Sequence, residues 1–87
     1  MLLAVDVGNT NTVLGLYRME SEKPERTAHW RITTHRTQTV DEYGVILINL
    51  FEMHGISPSE VKHIIISSVV PPVESTLRQV CEQYFKV

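Results

Sequence analysis

The sequence predicts an α/β protein, a mixed sheet carrying helices, with elements in the order βββαβα. Three observations lead there. Near the start, two apolar runs flank Gly-Asn-Thr-Asn, the pattern of a hairpin. Further on, Tyr43, Ile46, Leu47, Leu50 and Phe51 recur with a helical period. A short apolar run over 63–70 then follows, so a helical crossover leads to a further strand.

Each element has its own local reason. Leu-Leu-Ala-Val over 2–5 is a continuous apolar run ending at Asp6. Continuous rather than alternating apolarity predicts a strand buried on both faces. Gly8-Asn9-Thr10-Asn11 is turn chemistry. A second strand resumes over 12–17 and completes a hairpin across 2–17. Ser21-Glu22-Lys23-Pro24-Glu25 reads as a polar turn. A third strand over 27–34 alternates, with Ala28, Trp30 and Ile32 inward and His29, Arg31 and Thr33 outward. Thr39-Val40-Asp41-Glu42 matches a capping box and starts the helix. Gly55 stops it. Ser57-Pro58-Ser59-Glu60 repeats the capping signal for one short turn, with proline at the first helical position. The fourth strand, 63–70, is predicted to be buried on both faces, with Pro71-Pro72 to end it; it reads as central, yet its following partner strand is missing, which leaves an exposed edge. Val73, Leu77, Val80, Cys81 and Tyr84 mark a last helix. Residues 1–87 read as one domain without internal repeats or low-complexity segments.

Composition narrows the class. The 87 residues are 43% hydrophobic and 21% charged, as in one soluble domain. The longest apolar runs are far short of a membrane span. No basic region precedes the first apolar run, so no secretory signal is expected. Eight Lys and Arg stand against ten Asp and Glu, giving a net charge of −2. No basic block exists, and nothing points to a nucleic-acid backbone as partner. The single cysteine, Cys81, has no internal partner and suits a reducing cytoplasm. A chain this short buries about 60–65% of its unfolded surface and is marginal alone. It stops at Tyr84-Phe85-Lys86-Val87, directly after an apolar helical pattern. That ending fits a docked last helix or a cut in a longer protein.

The strongest chemical feature is Asp6-Val7-Gly8-Asn9-Thr10-Asn11-Thr12-Val13. A carboxylate at the end of a strand can hold Mg²⁺ directly or through water. Glycine two residues on lets backbone N–H groups approach an anion, and the Asn and Thr side chains add short donors. The pattern is neither G-x-G-x-x-G nor a P-loop with its lysine. A plain hairpin turn also explains Gly-Asn, although three consecutive donor-bearing residues exceed what a turn needs. Helix capping accounts for Thr39, Asp41 and Glu42. Ser67 and Ser68 lie near the end of the fourth strand, where α/β sheets bind ligands. Close packing of a helix there would also demand small residues. His29, His35, His54 and His63 show no metal-ligand spacing and read as surface or rim residues. Cys81 sits on an apolar stripe and reads as core, as does Trp30. No Ser-His-Asp or Cys-His arrangement can be assigned.

Taken together, these residues resemble a known family. Asp6-Val7-Gly8-Asn9-Thr10 resembles the first phosphate motif, D-x-G-N-T, of type III pantothenate kinases. Trp30-Arg31-Ile32-Thr33-Thr34 resembles the family's W-R-[IL]-[ST]-T strand. Thr39-Val40-Asp41-Glu42-Tyr43 resembles its T-x-D-E segment, and Ser67-Ser68-Val69-Val70-Pro71 its S-V-V-P strand end. The four stretches occur in the family's order, and the resemblance covers all 87 residues without an obvious gap. The resemblance implies the N-terminal half of an actin-like ATPase (ribonuclease H-like) domain, which opens with three antiparallel strands followed by α-β-α. It implies transfer of the ATP γ-phosphate to pantothenate, the first step of coenzyme A biosynthesis. Mg²⁺, a monovalent cation (K⁺ or NH₄⁺), a homodimer and a cytoplasmic setting are implied with it. Asp6 would position Mg²⁺, and residues 7–13 would form the nucleotide loop, with Gly8 to Thr12 as phosphate donors.

The family's G-x-D-R motif, which binds pantothenate and supplies the catalytic aspartate, does not occur here. Nor does its second phosphate motif. The chain therefore reads as an N-terminal fragment, with no catalytic residue of its own and inactive alone. Two other readings stand beside this one. One is a non-catalytic relative of the kind described as Bvg accessory factors, which regulate transcription. The other is a different member of the same superfold, such as a sugar kinase or a filament-forming division protein.

Overall fold

The computed structural model describes residues 1–19 and 22–87. Strands β1 (Leu2–Val7) and β2 (Asn11–Arg18) pair antiparallel, from Leu2 opposite Tyr17 to Val7 opposite Thr12. The predicted hairpin forms. Strand β3 (Glu25–Thr33) continues the antiparallel pairing on β2, with a register shift between Leu16 and Tyr17. Of the expected polar turn, Ser21 lies outside the described residues, and Glu25 already belongs to β3. Helix α1 (Val40–Met53) then crosses over, and a single 3₁₀ turn (Pro58–Glu60) leads to β4 (His63–Ser68). β4 lies parallel to β1, which gives the order β3-β2-β1-β4. Helix α2 (Pro71–Val80) follows and runs into a π-helical turn (Cys81–Phe85). This is the mixed α/β architecture the sequence predicts, and the one expected of the opening half of an actin-like ATPase domain.

The core lies between the sheet and the helices. Leu3, Val5 and Val7 of β1, Leu14 and Leu16 of β2, and Ala28 and Trp30 of β3 are buried there. Tyr43, Leu47 and Phe51 of α1 and Val73, Leu77 and Val80 of α2 meet them. Trp30 stacks on Phe51 at 5.3 Å between ring centroids, and Phe51 meets Phe85 edge-on at 5.2 Å. The Trp30 indole donates to His54 Nδ1 at 3.2 Å. Trp30 is thus a core residue, with its polar edge satisfied at the rim.

Both capping boxes are present. The Thr39 hydroxyl accepts from the Glu42 amide at 3.2 Å, and the Glu42 carboxylate accepts from the Thr39 amide at 2.9 Å. Ser57 and Glu60 do the same for the 3₁₀ turn. Gly55 ends α1 at φ 67°, in the left-handed region that favours glycine. One close approach has no local sequence signal. A Cβ on Gly44 of α1 would stand 2.5 Å from the Tyr84 ring, and the Tyr84 hydroxyl donates to Asp41 at 2.7 Å. The π-helical turn therefore docks on the first half of α1 through a residue with no side chain.

Three expectations need correction. β1 is not buried on both faces: Leu3, Val5 and Val7 are buried, while Asp6 is exposed. β4 presents the expected open edge but is not buried on both faces. It pairs with β1 alone among the described residues, and Ile65 is 58% exposed. Both errors share one cause, because the two helices that pack on the sheet cover a single face. The third concerns Pro71-Pro72, which open α2 and do not end β4. Their fixed φ suits the first helical turn, where the missing N–H has no intrahelical partner in any case. The strand stops earlier, at Ser68, whose hydroxyl accepts from the Val70 amide and donates to the Val70 carbonyl.

Candidate functional site

β1 and β4 run parallel, and both end on the same edge of the sheet. Ligands of α/β sheets bind beyond such strand ends. Asp6 lies within β1, one residue from its end, on the face the helices leave open. Its register partners are Ser67 on β4 and Val13 on β2. Asp6, Ser67 and Val13 line a shallow concavity of about 380 Å³ on that face, with Tyr17, Arg26 and His29 towards its far side. Ser68 points the other way and is committed to Val70. The alternation of the strand thus separates the two serines: only Ser67 stands beside the carboxylate.

The turn beyond Asp6 is tight. The Gly8 amide donates to the Asn11 carbonyl at 2.9 Å, leaving Asn9 and Thr10 as the tip. No residue of the turn has a positive φ, so Gly8 is not there for a left-handed backbone. A Cβ at Gly8 would stand 3.1 Å from the Asn11 oxygen, and bare backbone keeps the turn closed. The amides of Asn9 and Thr10 donate to no other backbone group among the described residues. Adjacent free N–H groups in a turn make a concave donor set for an anion.

The remaining members of the 6–13 segment divide by strand face. Val7 is buried against the helices, and Val13 is half-buried beside Asp6. Asn9 and Thr10 are exposed, and Asn11 is half-buried. Asn9 Oδ1 accepts from Arg36 Nη2 at 3.0 Å. Thr12 is fully buried, with its hydroxyl 2.8 Å from that of Thr34. The single hydroxyl proton of Thr34 goes to the Gly8 carbonyl at 2.8 Å, so Thr12 is the donor in this pair. Thr12 shapes the turn from below, and its proton is not presented at the open face.

Among the described residues no three His, Cys, Asp or Glu side chains cluster closely enough to hold a metal ion. A cation here has one protein carboxylate, Asp6. An oxygen-only donor of this kind, with room beside it for phosphate and water, fits Mg²⁺. Thr39 and Glu42 cap α1, and Asp41 accepts from the Tyr84 hydroxyl. Hydrogen bonds from the Thr39 backbone and then its side chain hold the Glu42 carboxyl below its usual value. Cys81 is 7% exposed, and burial pushes its thiol up to about 11, which suits a core residue and not a nucleophile.

A family model described as type III pantothenate kinase matches residues 2–87. The chain belongs to the type III pantothenate kinase family. A protein of that name from Koribacter versatilis (strain Ellin345) is 56% identical over 91 aligned residues, covering 98% of this chain and 33% of the relative. One from Anaeromyxobacter sp. (strain Fw109-5) is 53% identical over all of this chain and 33% of its own length. One from Myxococcus xanthus (strain DK1622) is 48% identical, also over the whole chain and 32% of its own length. The chain thus spans about a third of the length of these curated type III pantothenate kinases.

The site has members that residue-by-residue reading missed. Thr34, Arg36 and Tyr43 all reach the turn or the segment holding it. Thr34 was visible only as a letter within a motif and Tyr43 only as a member of the apolar stripe of α1, since nothing local says what their hydroxyls touch. No helix of the described residues is long and apolar enough to cross a membrane.

Proposed function

We propose that the protein to which this chain belongs phosphorylates pantothenate with ATP, giving 4'-phosphopantothenate at the head of coenzyme A biosynthesis. In this reading residues 1–87 are the opening actin-like subdomain and supply its first phosphate loop. The observation that carries it is the pairing of Asp6 with the free amides of Asn9 and Thr10 at one strand end, in a chain about 50% identical to enzymes of that name.

Phosphoryl transfer asks a protein mainly to position groups and offset charge. The Asn9 and Thr10 amides and the Asn9, Thr10 and Asn11 side chains are the donors for the nucleotide's phosphate oxygens. Gly8 keeps the backbone accessible, and Val7, Thr12 and Val13 hold the loop to the sheet. Asp6 would hold Mg²⁺, directly or through water, and the bound ion would offset charge developing on the phosphates. The γ-phosphorus bonds to the pantothenate hydroxyl oxygen as its bond to the β-phosphate oxygen breaks, and the hydroxyl proton leaves. The acceptor of that proton and the pantothenate pocket belong to the family's G-x-D-R motif, which this chain does not contain. The monovalent cation (K⁺ or NH₄⁺) is assigned to no residue here. A homodimer in the cytoplasm, without nucleic-acid or membrane partners, completes the proposal.

The test is pantothenate-dependent ADP formation by the natural protein. Asp6→Asn is expected to lower kcat at least ~10²-fold by removing the charge that positions the metal. Undiminished turnover in that variant would overturn the role of Asp6. No turnover in the wild-type protein would favour a non-catalytic relative.

A further inference from the structure

The motif 30–34 is explained at one end by Trp30, which packs in the core. Its other end, Thr34, one residue past β3, makes three hydrogen bonds to the loop. Its amide donates to the Thr10 carbonyl at 2.8 Å, its hydroxyl donates to the Gly8 carbonyl at 2.8 Å, and the same hydroxyl accepts from Thr12. The residues that follow are anchored as well. The Tyr43 hydroxyl, on a fully buried side chain of α1, accepts from the His35 amide at 2.9 Å and donates to the His35 carbonyl at 3.0 Å. Arg36 reaches Asn9 at 3.0 Å. Residues 34–36 form a clasp on the loop, and α1 holds the clasp.

We propose that Thr34 is a positioning residue of the phosphate loop and aims its tip amides through the Gly8 carbonyl. The reason is the planar trans peptide, in which C=O and the following N–H point in opposite directions. Fixing the Gly8 carbonyl on Thr34 turns the Asn9 N–H away from the clasp. The Thr10 carbonyl, held by the Thr34 amide, fixes the far side of the tip. The hydroxyl is needed because it does two things at once, accepting from buried Thr12 and donating to Gly8. This inference rests on reading 8–12 as a phosphate loop, although the clasp itself is a matter of geometry.

The experiment compares Thr34→Val, which keeps the shape without the hydroxyl, with Thr34→Ser, which keeps the hydroxyl, in the natural protein. Four quantities are read: kcat, KM for ATP and for pantothenate, the melting temperature, and hydrogen exchange at the Gly8 amide. Thr34→Val is expected to raise KM for ATP about 10-fold, the scale of one aligned hydrogen bond. KM for pantothenate should stay unchanged, and Gly8 exchange should accelerate by a similar factor. Thr34→Ser should restore both. Unchanged ATP KM and exchange in Thr34→Val would overturn the proposal. So would a loss for both substrates that follows the unfolded fraction and is not rescued by serine. If the wild-type protein does not phosphorylate pantothenate, the kinase reading fails, and Gly8 exchange in the two variants still decides whether Thr34 holds the loop.

Discussion

Thr12 and Cys81 are both buried, and burial acts on them in opposite ways. The Thr12 hydroxyl has a partner in Thr34, so its desolvation is offset by a hydrogen bond. The Cys81 thiol is raised from 9.0 to about 11, chiefly by desolvation, with nearby Arg78 acting weakly the other way. The folded chain therefore keeps the Cys81 proton where the unfolded chain loses it. That contribution to stability is complete below pH 9 and is lost as the pH rises towards 11. Tyr84, raised by its hydrogen bond to Asp41, acts with the same sign. Urea unfolding between pH 9 and 11 should show stability falling with pH, and Cys81→Ala should make the fall shallower. An identical slope in the variant would count against a buried, protonated Cys81. The core role of Cys81 was legible from its helical spacing. The partner of Thr12 was not, because Thr34 lies 22 residues away.

Helix starts are written in four residues, and here the local code was sufficient. Thr39 and Glu42 make the reciprocal bonds expected of them. Thr39→Ala should cost about 1 kcal/mol of stability, measured by urea unfolding at neutral pH. The Glu42 carboxyl is held below its ordinary value of 4.5, so its contribution is present above that value and lost as the pH falls through the lower folded one. The stability difference between wild type and Glu42→Gln should shrink as the pH drops below 4.5. A constant difference would mean that the box does not depend on the charge. Boundaries set by proline were less legible. Pro71-Pro72 can end a strand or start a helix; here β4 has already stopped at Ser68, and the prolines start α2 earlier than its apolar stripe suggests.

The sheet has helices on one face only, and that asymmetry creates both the site and an exposed edge. Asp6 and Ser67 stand on the open face because β1 and β4 are parallel and in register. β4 presents its other edge unpaired among the described residues, with Ile65 58% exposed beside it. Unprotected edges template further pairing. The 87-residue chain should therefore self-associate, with a weight-average mass in sedimentation that rises with concentration. Ile65→Lys, which places a charge on the edge, should shift it towards monomer. A wild-type chain that stays monomeric at high concentration would show that the edge is protected.

Periodicity and short-range turn chemistry determined the hairpin, both helices, the caps and the βββαβα order, because each depends on residues within a few positions of one another. The motifs in that order also sufficed to mark the family. Packing alone settled which face of each strand is covered, the docking of Tyr84 on Gly44 and the grip of Thr34 on the loop. An amphipathic pattern states that a side chain is hidden or exposed, but it does not name what lies opposite. Asp41 and Tyr84 are 43 residues apart, and only the fold brings them within 2.7 Å.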